Sequence, residues 1–382
     1  MKTLTPIAAA ITLAISGTAF AADNVTEQYQ YGNGNSVNSF QVGAGSHDNY
    51  VKQVQYGDHN AAVASQGEEY DSEAIQYQYG DGNFSNITQI FGHDNHATSK
   101  QVGDHNTSVT LQVNEHHSKS YHYQEGNGND AKTLQTFGSY NVAKIKQYGD
   151  YGEASIQQLG SDNGEVKIIQ KGDHADTDVI QSGEGNYVHI YQGHGGMNDA
   201  DVHQGGNHND AHIKQKGWMN DAHINQPGDY NYASIKQRGY KNDGEIDQHG
   251  DHNDASIRQK GRRNDADVDQ YGDEGYASIE QHGYKNDADV RQAYGEHNYA
   301  SIDQKGLYNE ADISQAGYYN YANAEQYGYG NDAYLGQIGY KHVAKVTQVG
   351  GYNESLVGQV FGHCETAHVL QVGHGNQSVV FQ

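Results

Sequence analysis

Glutamine returns every eleven residues through most of this 382-residue chain, and a chain punctuated in this way has few ways to fold. From Gln204 it recurs at Gln215, Gln226, Gln237, Gln248, Gln259, Gln270, Gln281 and Gln292. It continues at Gln304, Gln315, Gln326, Gln337, Gln348, Gln359, Gln371 and Gln382, with a single-residue insertion at two of the steps. From Gln78 to Gln158 the steps alternate between 11 and 12 residues, and Gln30 to Gln382 spans 32 units. Gly usually follows two places after the Gln and Asn five places after it, as in Gly217 and Asn220, Gly239 and Asn242, or Gly261 and Asn264. Self-similarity at so short a period is the signature of a repeat architecture.

Each unit reads as one strand and one turn. In Ala255-Ser256-Ile257-Arg258-Gln259-Lys260, alternate positions separate Ala, Ile and Gln from Ser, Arg and Lys, the period of two of a half-buried strand. Gly261 to Asn264 is then the turn, with Gly supplying a positive φ and Asn bonding locally. Apolar residues are nowhere sustained at helical spacing, so no helix is expected. Ala-Ser-Ile units such as that at Ile235 interleave with Ala-Asp-Val units such as that at Val268, which makes the true repeat strand-turn-strand-turn over 22–23 residues.

One such coil offers two Ile or Val side chains, worth roughly 1.5–3 kcal/mol each on burial, against about 1–2 kcal/mol per residue to order the backbone. Coil must therefore stack on coil. The expected fold is an all-β solenoid of about 16 two-stranded coils, a rod on the order of 75 Å long. Its inward ladder is Ile213 and Gln215, Ile235 and Gln237, Ile257 and Gln259, Val268 and Gln270, Ile279 and Gln281, Ile302 and Gln304. The flanking Ser, Asp, Lys, Arg and Tyr are expected to face solvent.

Composition sharpens this. A mean hydropathy of -0.91 and a net charge of -25 leave too little apolar surface for ordinary cores and would normally indicate disorder. Yet 31 Tyr and only 2 Pro are the opposite of a disordered composition. With 48 acids to 23 bases, nucleic acid is excluded as a partner, since phosphates need Lys and Arg. The short positive start at Lys2, the apolar run Ile7 to Ile15 and Ala19-Phe20-Ala21 read as a signal peptide over residues 1–21, leaving 22–382 as a single domain of an exported chain. No later segment approaches a transmembrane helix. One cysteine, Cys364, excludes an internal disulfide framework.

Candidate chemistry is sparse. Gly57-Asp58-His59-Asn60, Gly103-Asp104-His105-Asn106 and Gly250-Asp251-His252-Asn253 look like a ligand set, but a metal site needs converging ligands of fixed number, and these turns vary freely. They read as polar turn chemistry, and no metal ligand or cofactor is assigned. Asp58, Asp81, Asp104, Asp150 and Asp173 should stack as a column whose like charges oppose assembly. Asp267 and Asp269 could pose as a general acid and base, but an open face offers no pocket to shift them. Turns such as Gly126-Asn127-Gly128-Asn129 lack the following helix of a phosphate loop. No enzyme is indicated.

A family resemblance rests on these same residues. Ser118-x5-Gln124-x-Gly126-x-x-Asn129-x-Ala131-x3-Gln135 is similar to the curlin repeat, the unit of bacterial curli fibre subunits. Ser72-x5-Gln78-x-Gly80-x-Gly82-Asn83 repeats it, ending on Ser85-x3-Gln89. The pattern covers essentially the whole mature chain. Two departures are a longer array and, in the C-terminal half, Asn in place of Ser six residues before Gln, as at Asn209.

The resemblance implies a secreted functional amyloid, a homopolymer that builds biofilm matrix and mediates adhesion on a Gram-negative cell, with major and nucleating roles both open. It also implies a nucleator subunit, an outer-membrane secretion pore and periplasmic chaperones as partners. Independently of the family, repeats run from Gln30 and Gln41 to Gln371 and Gln382, so both terminal coils are expected to be uncapped and to accept another coil. Two other classes remain. A monomeric secreted solenoid with an ice-binding or adhesive face is disfavoured by the mixed outward rows. A polysaccharide-cleaving β-helix is disfavoured by turns too short to build a cleft.

Overall fold

Alternation at period two allows a strand to bury one face only, and the chain meets that constraint by coiling. The computed structural model describes residues 23–43 and 45–382; the expected signal peptide lies outside them. The chain forms two parallel sheets of sixteen strands each, and successive strands alternate between the sheets. The first sheet runs from Val25–Tyr31 to Thr366–His374 and the second from Ser36–Val42 to Gln377–Phe381. This is a β-solenoid of sixteen two-stranded coils, with no helix among the described residues.

Register is kept coil after coil. Ala233, Ile235 and Gln237 pair with Ala255, Ile257 and Gln259, which pair in turn with Ala277, Ile279 and Gln281. The step is 23 residues in the N-terminal half (Glu73 with His96) and mostly 22 in the C-terminal half (Tyr232 with Asp254). Only the first step is longer, 25 residues from Val25 to Tyr50, taken up around Gly43 and Gly45. Ring stacking gives the rise: Tyr276, Tyr299 and Tyr321 lie with centroids 4.8 Å apart, the spacing of paired strands.

The interior is a thin seam between the sheets. Ala and Ile or Val from both sheets are buried to within a few per cent in one continuous cluster from Ala131 to Ala367, and a smaller cluster of Val51, Ala64, Ala74, Ile87 and Ala97 serves the N-terminal coils. Small Ala lets the sheets approach closely. Where Gly244 takes an Ala position, a Cβ would sit 3.3 Å from the Ile235 methyl and 3.2 Å from the Gln237 amide of the opposite sheet, closer than ordinary contact, so the seam is tight there.

The turns differ from expectation. The sequence predicts a strand over Ala255–Lys260 and a turn over Gly261–Asn264; the strand runs Asp254–Arg262, and only Arg263 and Asn264 turn. Gly217, Gly239 and Gly261 thus lie inside strands, paired in register with one another. They are Gly because the coils close up there: at Gly239, with φ +141°, a Cβ would overlap the carbonyl oxygen of Gly261. The left-handed residue is Arg263, at φ 53°. Pro227 leaves its own mark. Pairing of Asp221–Gln226 with the next coil stops at Asn225, because Pro227 has no N–H for the Gln248 carbonyl; the equivalent His249 N–H bonds to the Gln270 carbonyl at 2.8 Å.

Because each coil touches only its neighbours, damage should stay local. Gln259→Ala removes an amide from a fully enclosed ladder and should cost about 1–3 kcal/mol, lowering amide hydrogen-exchange protection in the strands at residues 232–240, 254–262 and 276–284. Arg258→Ala, on the exposed face, should leave protection unchanged. Equal losses, or a loss spread along the rod, would contradict this picture.

Candidate functional site

The feature with most capacity for chemistry is a set of side-chain amides stacked through the rod. Gln215 donates its Nε2 to Gln237 Oε1 at 3.0 Å, Gln237 to Gln259 at 3.0 Å, Gln259 to Gln281 at 3.0 Å and Gln281 to Gln304 at 2.9 Å. The second sheet carries an equivalent row, in which Gln270 donates to Gln292 at 2.8 Å. The same Nε2 groups also bind the chain across the seam, as Gln281 does to the Asp265 carbonyl at 2.6 Å. Most of these amides therefore tie their coil to the next coil and their sheet to the opposite one.

The rows have a direction. From Gln30 to Gln55 (3.0 Å) and Gln41 to Gln66 (3.0 Å) at one end, to Gln348 to Gln371 (2.9 Å) and Gln359 to Gln382 (2.9 Å) at the other, the donor always belongs to the earlier coil. Asn rows run the other way. Asn242 Nδ2 donates back to Asn220 Oδ1 at 3.0 Å, and Asn264 Nδ2 to Asn242 Oδ1 at 3.1 Å. The sequence reading assigned these Asn to local turn bonding; they are buried, and nearly all their bonds reach neighbouring coils, so that reading is corrected.

Gln371 and Gln382 lie in the last coil and Gln30 and Gln41 in the first, at opposite ends of the rod. In the middle of the rod, Ile213, Ile235, Ile257, Ile279, Ile302 and Val268 are at most 1 % exposed, and Gln237 at 2 % is the most exposed of the ladder amides beside them.

Several interior residues escaped sequence reasoning. Gln28, Gln53 and Gln76 form a further ladder, each step 2.8 Å, in the column that later holds Ile; the Gln-x-Gln spelling at Gln53 and Gln55 was its visible signal. His122 occupies that column too, its ring nitrogens bonded to Ser108 Oγ at 2.8 Å and Thr133 Oγ1 at 2.7 Å, and burial pushes its pKa down to about 3. Glu69 and Glu115 are fully buried at one turn edge, bonded to Ser72 Oγ at 2.8 Å and Ser118 Oγ at 2.6 Å. Burial raises both to about 7. Gly92 beside Glu69 leaves the space: a Cβ there would stand 2.9 Å from Glu69 Oε1.

Charge is segregated between the faces. On the outward side of the second sheet, Asp176, Asp199, Asp221, Asp243, Asp265, Asp287, Glu310, Asp332 and Glu354 pair coil to coil in one unbroken column. Beside it stand Asp178, Asp201, Glu245, Asp267, Asp289 and Asp312, and Arg291 is the one Lys or Arg in these strands. Over three of these coils the first sheet presents exposed cations, Lys214, Lys236 and Arg258 in one column and Lys216, Arg238 and Lys260 in the next, before the first column continues as Glu280, Asp303 and Glu325.

Desolvation and then the surrounding carboxylates of Asp269, Glu245, Asp289 and Asp247 push Asp267 up to about 7. Asp199, Asp243, Asp287 and Asp289 rise to about 6 for the same two reasons. The expectation that an open face leaves Asp267 and Asp269 unshifted is thus corrected: partial burial among stacked neighbours raises both, and the like charges a strand away add to it.

The turn column behaves differently from its sequence reading. Asp81 Oδ1 accepts the Asp58 N–H at 2.7 Å, Asp104 Oδ1 the Asp81 N–H at 2.8 Å, and Asp173 Oδ1 the Asp150 N–H at 3.0 Å. Each carboxylate therefore also clasps the neighbouring coil, an attraction that sequence spacing does not reveal. The His59 and His105 turns bring no ligand set together. Two partly exposed groups place three metal-ligating atoms within 4.8 Å of one another, His93, Asp94 and His117, and His223, Glu245 and Asp247.

The described residues thus form a parallel two-sheet β-solenoid tied coil to coil by amide pairing. Residues 172–204, 198–228, 228–261, 242–272, 261–293, 272–306 and 308–339 match the curlin associated repeat. These matches support membership of the curlin family. No curated protein matches it at a significant level. Curlin repeats on this fold support a curli-type structural subunit, and no helix among the described residues is long and apolar enough to cross a membrane.

The raised carboxylates set a pH dependence. A group whose folded pKa lies above its unfolded value stabilises the fold fully below the unfolded value and loses that contribution as pH rises through the folded one. For Glu69, Glu115, Asp267 and the Asp199, Asp243, Asp287 and Asp289 set, the loss falls between about pH 4 and 7. His122, depressed, acts oppositely as pH falls below its unfolded value, but it is one group against seven. The denaturant midpoint should rise from about pH 8 to about pH 5, and Asp243→Asn with Asp267→Asn and Asp287→Asn should raise it at pH 8 and flatten the profile. A midpoint highest at pH 8, or a less stable triple variant, would contradict the self-repulsion account.

Proposed function

We propose that this chain is the subunit of an extracellular amyloid fibre that grows head to tail by stacking the last coil of one molecule on the first coil of the next. Exported through residues 1–21 as a cleaved signal, it would form biofilm matrix and mediate adhesion and aggregation of the cells that secrete it. A nucleator, an outer-membrane pore and periplasmic chaperones are the partners its family implies.

The observation that carries this reading is the polarity of the ladders. Gln rows donate forward along the whole rod, and the Asn row from Asn198 to Asn376 donates backward, so the end bearing Gln371 and Gln382 offers Gln donors where the end bearing Gln30 and Gln41 offers Gln acceptors. Head-to-tail contact continues both kinds of row, whereas head-to-head contact opposes like groups. The strands Thr366–His374 and Gln377–Phe381 stand at the sheet edges in the same register as every strand before them, so a further coil adds without rearrangement. Such an interface is heterologous and does not close, which yields filaments.

Residues 22–382, purified under denaturant and then released from it, should form dye-binding filaments visible by electron microscopy. Gln371→Glu with Gln382→Glu replaces terminal donors by carboxylates facing Gln oxygens and should slow elongation about tenfold or more while leaving the circular dichroism of the soluble chain intact. A chain that sediments as a monomer for days would contradict the proposal and favour a monomeric solenoid with a binding face.

A further inference from the structure

We propose that copies of this solenoid also associate side by side, with the second-sheet face of one rod laid against the first-sheet face of the next. The inference rests on the fibre reading only for its scale, since two single rods would pair through the same faces.

Three observations carry it. The faces are complementary: the acidic column from Asp176 to Glu354 with its companion column on one side, and the Lys214-Lys236-Arg258 and Lys216-Arg238-Lys260 columns on the other. The acids recur once per coil along the column, and the cations once per coil over the three coils from Lys214 to Lys260, a patch that both faces meet at the rise set by strand pairing. A second copy lying parallel offers cations at the same repeat as the acids, row against row, which a partner of another fold would match only by chance. Finally, the acids lack cations of their own. Asp221, Asp243 and Asp265 have no Lys or Arg on their strands, while the exposed Lys and Arg of those coils point away on the opposite sheet. Contact between unlike faces would relieve a repulsion that the single rod cannot. Because the two faces differ, the contact is again heterologous and builds bundles rather than closed pairs.

Salt separates this contact from axial growth. Stacking coil on coil aligns like charges, so screening should speed elongation; lateral pairing joins unlike charges, so screening should weaken it. Filaments of the mature chain should bundle at about 20 mM salt and separate, with at least a fivefold drop in bundled fraction by electron microscopy and light scattering, at about 500 mM.

The decisive variants are two. Variant A carries Lys214→Glu, Lys216→Glu, Lys236→Glu, Arg238→Glu, Arg258→Glu and Lys260→Glu, making both faces acidic over those coils; variant B carries Asp243→Lys, Glu245→Lys, Asp265→Lys, Asp267→Lys, Asp287→Lys and Asp289→Lys, making the second-sheet face basic over its coils. Each alone should elongate without bundling, and an equal mixture of the two should bundle again. Bundling by A alone, bundling that strengthens with salt, or bundling that appears only with calcium and vanishes with chelator would overturn the inference, the last by showing acid faces bridged by cations. Should neither variant nor the parent form filaments, the fibre reading fails by itself. Co-sedimentation of soluble A with B, but not A with A, would still support the lateral contact, and its absence would remove it.

Discussion

Everything in this molecule depends on a side-chain amide being both donor and acceptor at once. A Gln buried in a thin seam has to satisfy two N–H groups and an oxygen without water, and leaving them unpaired would cost kcal/mol each. A neighbour of the same kind one strand spacing away, and carbonyls across the seam, meet that demand. Gln237 does so between Gln215 and Gln259, and the same arrangement runs to Gln371 and Gln382. Once one coil is built this way, its interior is complete only if another coil follows. The 11-residue period is the sequence expression of that requirement, and the Gly column at Gly217, Gly239 and Gly261 keeps the coils close enough to meet it.

The same parallel register that aligns amides also aligns charges, with opposite consequences. Identical side chains meet their own kind at every coil, so a favourable pair is multiplied into a ladder and an unfavourable one into a column of repulsion. Asn and Gln gain from this multiplication; the Asp and Glu of the second sheet are held above the ordinary carboxylate range by it, behind desolvation. In the turn column the chain uses the repulsive residue attractively, since Asp81 and Asp104 each accept a backbone N–H of the coil before. Acidity is therefore tolerable where it is also a hydrogen-bond acceptor and costly where it is only exposed charge.

The period, the strand count and the two-sheet solenoid were legible from the chain because they depend on backbone geometry and on alternation, which single residues report directly. Ile257 and Gln259 on one side and Arg258 on the other needed no tertiary knowledge. The turns were less legible: Asn264 reads as a local turn residue because its usual partners are local, and only stacking converts it into an inter-coil ladder. Glu69, Glu115 and His122 were invisible for a related reason, since their burial depends on which small or polar residues, such as Gly92 or Thr133, occupy the adjoining coils. Ladder direction was equally hidden, because a Gln in a sequence has no orientation.

Fibre diffraction from aligned filaments of the mature chain tests most directly whether the coil axis is also the growth axis. A meridional reflection at the strand spacing of about 4.8 Å, with sheet spacing on the equator, is the result this account predicts. The same spacing found on the equator, or filaments without it, would show that the rods do not join end to end through their amide ladders.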